Sequence, residues 1–114
     1  VTTPENHDRV IAYTSQLAHI VSSAYIKSPT ALDHIGFSAG SYKDLTRVAR
    51  LDPDMWTELF MQNREPLLSE LDGIIARLNE YRAALYRANS DEMRELLRAG
   101  LEQKLEADRK DYHA

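Results

Sequence analysis

Each of the four prolines of this 114-residue chain stands where a helix can begin. Proline fixes φ near the helical value and lacks an N–H that a first-turn residue would leave unbonded, so it suits a helix start and damages a helix interior. Three follow a residue able to cap: Thr3-Pro4, Ser28-Pro29 and Asp52-Pro53. The fourth, Pro66, comes after Asn63-Arg64-Glu65 and is predicted either to fall in the first turn of the next helix or to kink a continuous one. Asn89 or Ser90 provides a further cap, followed by Asp91 and Glu92 at the positive end of the helix dipole. With no alternating strand pattern, repeat or low-complexity tract between these signals, the chain is predicted to be all-α, with five or six helices.

The apolar positions say what each helix does. From Pro4 to about Tyr25 or Ile26, Val10, Ile11, Leu17, Ile20, Val21 and Ala24 recur at helical spacing in a set wide enough to predict a central helix covered on more than one side. His7, Ser15, Gln16 and His19 are its polar insertions; Ser15 and His19, four apart, face the same way and suit one site or one core network. A short second helix carries Ala31, Leu32 and Ile35 and ends at Gly36. The loop Gly36-Phe37-Ser38-Ala39-Gly40-Ser41 lets backbone come close to a ligand, because glycine has no Cβ and can take positive φ. Tyr42 to Leu51 is then predicted helical, with Leu45, Val48 and Ala49 inward and Asp44 and Arg47, three apart, sharing a face. A carboxylate beside a guanidinium can hold that fork ready for a ligand carboxylate; the plainer alternative is a solvated surface pair.

After Asp52-Pro53, Met55, Trp56, Leu59 and Phe60 make one apolar face that needs a partner, and ordinary core packing would account for Trp56. Leu67, Leu71, Ile74, Leu78, Tyr81 and Leu85 then alternate by four and three in a narrow seam, with Glu70, Arg77, Glu80, Arg82 and Arg87 as solvated charge. Leu96, Leu97, Leu101 and Leu105 form a last stripe, and the polar tail from Glu106 is predicted to fray. These stripes leave more apolar edge than so short a chain covers by itself, and a two-fold homodimer is the commonest remedy.

Composition removes several functions. Fourteen basic residues against 18 acidic give a net charge of −4, which offers no footprint for nucleic acid or an anionic membrane. No run approaches the ~20 apolar residues of a membrane span. The absence of cysteine excludes disulfides and thiolate metal sites and fits a reducing cytoplasm. His7 and His19 lie far apart with no third ligand at metal spacing, so no metal is expected. Neither a Gly-Lys-Ser/Thr phosphate loop nor a strand followed by GxGxxG is present.

The run GSYKDLTRVARLDPDMW, with NHDRVIAYTSQLAHIVSSAY upstream, resembles the C-terminal helical domain of prephenate dehydrogenases. The likeness is strong from His7 to Asn63 and continues only as helical pattern beyond. It implies the dimerisation and substrate-binding domain of an enzyme that oxidises prephenate with NAD to 4-hydroxyphenylpyruvate and CO2 in tyrosine biosynthesis, residues 1–114 forming that single domain. NAD and the catalytic histidine would belong to an N-terminal Rossmann domain absent from this chain, so the fragment alone is expected to be inactive; Val1 in place of Met agrees with an excised domain. By the same resemblance Arg47 binds substrate carboxylate with Asp44 as its ionic neighbour, Gly40 is the loop glycine at the pocket edge, and Trp56 reaches the pocket from the neighbouring subunit. Ser15 and His19 fall on a Ser-x-Leu-Pro-His phrase whose histidine borders the substrate, with Ala18 replacing the proline and predicting a straighter helix. No ACT regulatory domain is expected within residues 1–114, and truncation would have removed one that follows His113-Ala114 in a longer chain. An arogenate dehydrogenase fits the same residues, and the reading from another class is a non-catalytic helical interaction module.

Overall fold

The computed structural model describes residues 3–33 and 39–113. Helix α1 (Pro4–Ile11), a π-helical segment (Ala12–Leu17) and α2 (Ala18–Ile26) run on without a break, and a 3-10 turn (Pro29–Leu32) follows. Then come α3 (Gly40–Thr46), α4 (Pro53–Gln62), α5 (Arg64–Tyr86) and α6 (Ser90–His113), with no strand among the described residues. The cap and proline pairs act as their chemistry requires. Thr3 Oγ1 accepts from the Asn6 N–H at 3.1 Å, Ser28 Oγ from Thr30 at 3.3 Å, Asp52 Oδ1 from Asp54 at 3.2 Å and Asn89 Oδ1 from Glu92 at 3.0 Å. Pro66 lies in the first turn of α5.

The chain forms two compact units, Val1–Asp72 and Gly73–Ala114, divided within α5. In the first, α3 packs on α2, with the Tyr25 and Tyr42 rings 6.4 Å apart. Ala12, Leu17 and Leu67 are buried there, together with the polar Gln16 and Ser22. Asn63 alone separates α4 from α5; its N–H bonds the Phe60 carbonyl and its carbonyl accepts from Leu67, so the chain turns within one residue. In the second unit, α5 reverses into α6 through Ala88, whose φ of 51° is the left-handed conformation usually left to glycine. Arg87 Nη2 donates to both carboxylate oxygens of Glu92 at 2.8 Å and ties the turn.

Four expectations change. Helix α3 stops at Thr46 rather than Leu51: the Ala49 N–H bonds back to Thr46, and Asp52, preceding a proline, is held extended at ψ 112°. The tail beyond Glu106 is helical to His113, because Arg109 pairs with Glu106 and Lys104 with Asp108 one turn apart. Ala18 does not restore regular α geometry, since the turn before it is π-wound. The predicted seam of α5 is only partly covered: Leu67 is buried and Leu71 and Ile74 half-buried, but Leu78 and Leu85 are 57 and 71% exposed, while Leu97, Leu101 and Leu105 of α6 stay exposed, as an apolar edge left over from so short a chain should. Ile35 and the loop positions Gly36, Phe37 and Ser38 fall outside the described residues.

Candidate functional site

The π-wound segment and α2 carry Ser15 and His19, and α4 carries Trp56. A π turn holds one more residue than an α turn and is found at functional positions more often than elsewhere. Here it is followed directly by the turn that presents His19. The His19 ring stacks on the Trp56 indole, centroids 4.1 Å apart and planes 23° from parallel. Its Nδ1 lies 2.7 Å from the Ser15 carbonyl oxygen, which can only accept, so Nδ1 carries the proton and donates. Nε2 is the nitrogen left for a ligand. Phe60 backs the indole at 5.6 Å. Ser15 thus serves His19 through its backbone rather than through the hydroxyl that the spacing suggested.

Trp56 meets His19 within its own chain, so this contact needs no neighbouring subunit. Asp44 and Arg47 are both exposed, and no ion pair joins them among the described residues. The reason is local: α3 ends at Thr46, leaving Asp44 in its last turn and Arg47 at the cap. Arg47 is exposed there, and among the described residues no carboxylate pairs with it, Asp44 included. Gly40 is the first residue of α3 and does not use positive φ; a Cβ added there would meet nothing within 4 Å. The open space beside it remains, but the backbone reason for a glycine does not.

Gln16, legible in the sequence only as a polar insertion, and Asn63 prove to be bonded to each other. Gln16 Nε2 donates to the Leu59 carbonyl at 3.2 Å, while Asn63 Nδ2 donates to Gln16 Oε1 at 2.7 Å and to the Asp8 carbonyl at 3.0 Å. The signal was an amide set between Ala12 and Leu17, on a face otherwise apolar, where a buried carboxamide must find partners. Among the described residues no three His, Asp or Glu side chains come together to hold a metal, and no helix is long and apolar enough to cross a membrane.

Comparison with known proteins gives this geometry a context. The family described as "Prephenate dehydrogenase, dimerization domain" matches residues 3–99. The chain is 37% identical over 95 residues to the cyclohexadienyl dehydrogenase of Zymomonas mobilis, covering 76% of this chain and 32% of that protein. It is 25% identical over 95 residues to the prephenate dehydrogenase of Bacillus subtilis, covering 79% and 26%. It therefore spans about a third or less of the curated relatives it matches. Among solved structures, prephenate dehydrogenase from A. aeolicus, in complex with hydroxyphenyl propionate and NAD+, superposes with a TM-score of 0.77 at 30% identity, over 93% of this chain and 39% of that one. Synechocystis arogenate dehydrogenase gives a TM-score of 0.77 at 25% identity, over 97% and 41%. The all-α chain that stacks His19 on Trp56 belongs to the prephenate dehydrogenase dimerization-domain family.

Proposed function

We propose that this chain supplies the substrate-binding wall and the homodimer interface of an NAD-dependent prephenate dehydrogenase. The observation that carries the reading is His19, held by the Ser15 carbonyl and the Trp56 indole so that Nε2 is left to a ligand. A cyclohexadienyl ring is flat and apolar with polar groups at its ends, and an aromatic face beside an oriented imidazole suits it. Arg47, permanently charged and without an ion pair among the described residues, grips a carboxylate of the substrate through its planar fork. Gly40 leaves the pocket edge open, and Asp44 stays near enough in sequence to tune the local charge. The exposed leucines of α6 form part of the surface buried between subunits.

NAD supplies the hydride acceptor when bound. The described residues fit no dinucleotide grip, having neither a strand nor a glycine-rich turn into a helix, so a separate Rossmann domain holds it and no step of its chemistry falls to this chain. We assign the enzyme to the cytoplasm and to tyrosine biosynthesis. The relatives' names span prephenate, arogenate and cyclohexadienyl substrates, which differ at a keto or amino group.

Steady-state kinetics of the complete enzyme containing this chain test the proposal. NADH should form from prephenate and NAD, and His19→Ala should raise the KM for prephenate while leaving that for NAD unchanged. No NADH from either prephenate or arogenate, or an unaltered prephenate KM in the variant, would overturn it. The chain by itself should give no NADH.

A further inference from the structure

We propose that Gln16 is a positioning residue that sets the spacing between His19 and Trp56, and through them the grip on substrate. This rests on the reading of those two rings as pocket groups. Gln16 precedes His19 by three positions and Leu59 follows Trp56 by three, so each pair lies about one turn apart on its own element. The Gln16 to Leu59 hydrogen bond at 3.2 Å and the His19–Trp56 stack at 4.1 Å are two rungs of one antiparallel contact between the π-wound helix and α4. Moving the first rung moves the second.

The orientation of the rung is forced. The Leu59 and Asp8 carbonyls can only accept, so the amide nitrogens of Gln16 and Asn63 must face them, which turns Gln16 Oε1 toward Asn63. Gln16 is 6% exposed, so water does not readily replace these partners. Asn63 is also the single residue between α4 and α5. The carboxamide of Gln16 thus joins the turn that carries His19 to the end of the helix that carries Trp56.

Trp56 is the one tryptophan of the chain, and a histidine ring in contact lowers indole emission, most strongly when the ring is protonated, so the spectra are recorded on the acid side of neutrality. The experiment compares wild type, His19→Ala and Gln16→Met in the complete enzyme, taking Trp56 emission as the difference from the same protein carrying Trp56→Phe. Methionine keeps length and volume and removes both hydrogen bonds. We expect Gln16→Met to raise Trp56 emission toward the His19→Ala value and to raise the prephenate KM roughly tenfold, with kcat and the KM for NAD nearly unchanged. Unchanged emission with a lowered melting temperature would overturn the proposal and leave Gln16 a packing residue. Changed emission with an unchanged KM would overturn it too, if His19→Ala does raise KM. An unchanged KM in His19→Ala instead sinks the reading of the pocket, and the emission alone then decides whether Gln16 holds the rings. If Gln16→Met does not fold, Gln16→Glu, which keeps the acceptor for Asn63 and loses the donor to Leu59, is judged by the same two readouts.

Discussion

Replacing Arg47 by lysine keeps the charge and removes the planar fork, so it separates a carboxylate clamp from a surface cation. The structure bounds the side effects: Arg47 is exposed at the end of α3 and makes no ion pair among the described residues. Losing such an exposed side chain should change stability by no more than about 0.5 kcal/mol. If Arg47 grips a substrate carboxylate in a desolvated pocket, removing the paired N–H geometry costs roughly 2–4 kcal/mol of binding, and lysine recovers little of it. At about 1.4 kcal/mol for each factor of ten, the KM for prephenate should rise roughly 30- to 700-fold. The value of kcat should fall less, because the grip acts on ground state and transition state alike, and the KM for NAD should hold. Steady-state kinetics of Arg47→Lys and Arg47→Ala in the complete enzyme, with melting curves, make the test. An unchanged prephenate KM removes Arg47 from the site. A raised KM accompanied by an equally large loss of stability would show that the argument mistook a structural residue for a binding one.

Other outcomes follow from the fold. Ala88→Gly should stabilise the protein by about 0.5–1 kcal/mol in urea denaturation, since the left-handed backbone costs alanine about 1–2 kcal/mol and glycine's extra unfolded freedom returns only part of it; destabilisation would show that the turn has no such strain. Leu17→Ala, at a side chain only 3% exposed, should cost about 2–4 kcal/mol, measured the same way. The Arg109 guanidinium hydrogen-bonded to Glu106 holds its carboxyl below the usual carboxylate range. Because that folded-state pKa is depressed, its support for the end of α6 is present above the ordinary carboxylate pKa and is lost as pH falls through the lowered one. Amide protection factors in the last two turns, taken against the intrinsic exchange rate at each pH, should fall over that window, and Arg109→Gln should move the change to higher pH.

The helix starts were legible because a cap and a proline act on backbone groups within three residues, so Thr3, Ser28 and Asp52 needed no knowledge of the rest of the chain. The end of α3 was less so: Val48 and Ala49 keep helical spacing, but Asp52 must be extended before Pro53, and that demand reaches back. The α6 tail misled because hydropathy ignores the i, i+3 and i, i+4 pairs that hold an exposed helix together. At the site, resemblance supplied His19 and Trp56, but no local pattern could say that they touch in one chain, or that Ser15 acts through its carbonyl. Asp44 and Arg47 show the reverse failure, since a shared helical face is necessary for a pair and does not make one.

The π-wound segment Ala12–Leu17 also sets a phase between the two halves of the first helix. One residue in excess of the α-helical count rotates everything after it by about 100° relative to everything before. Val10 and Ile11, which an uninterrupted α-helix would align with one set of later positions, are aligned with another. Forcing the same residues into ordinary α winding would swing His19 about a quarter turn away from Trp56, whereas removing one residue as the winding relaxes would leave α2 in its present phase. The winding of the stretch from Ala12 to Leu17, as much as the identity of any side chain in it, therefore sets which residues of α2 face α4.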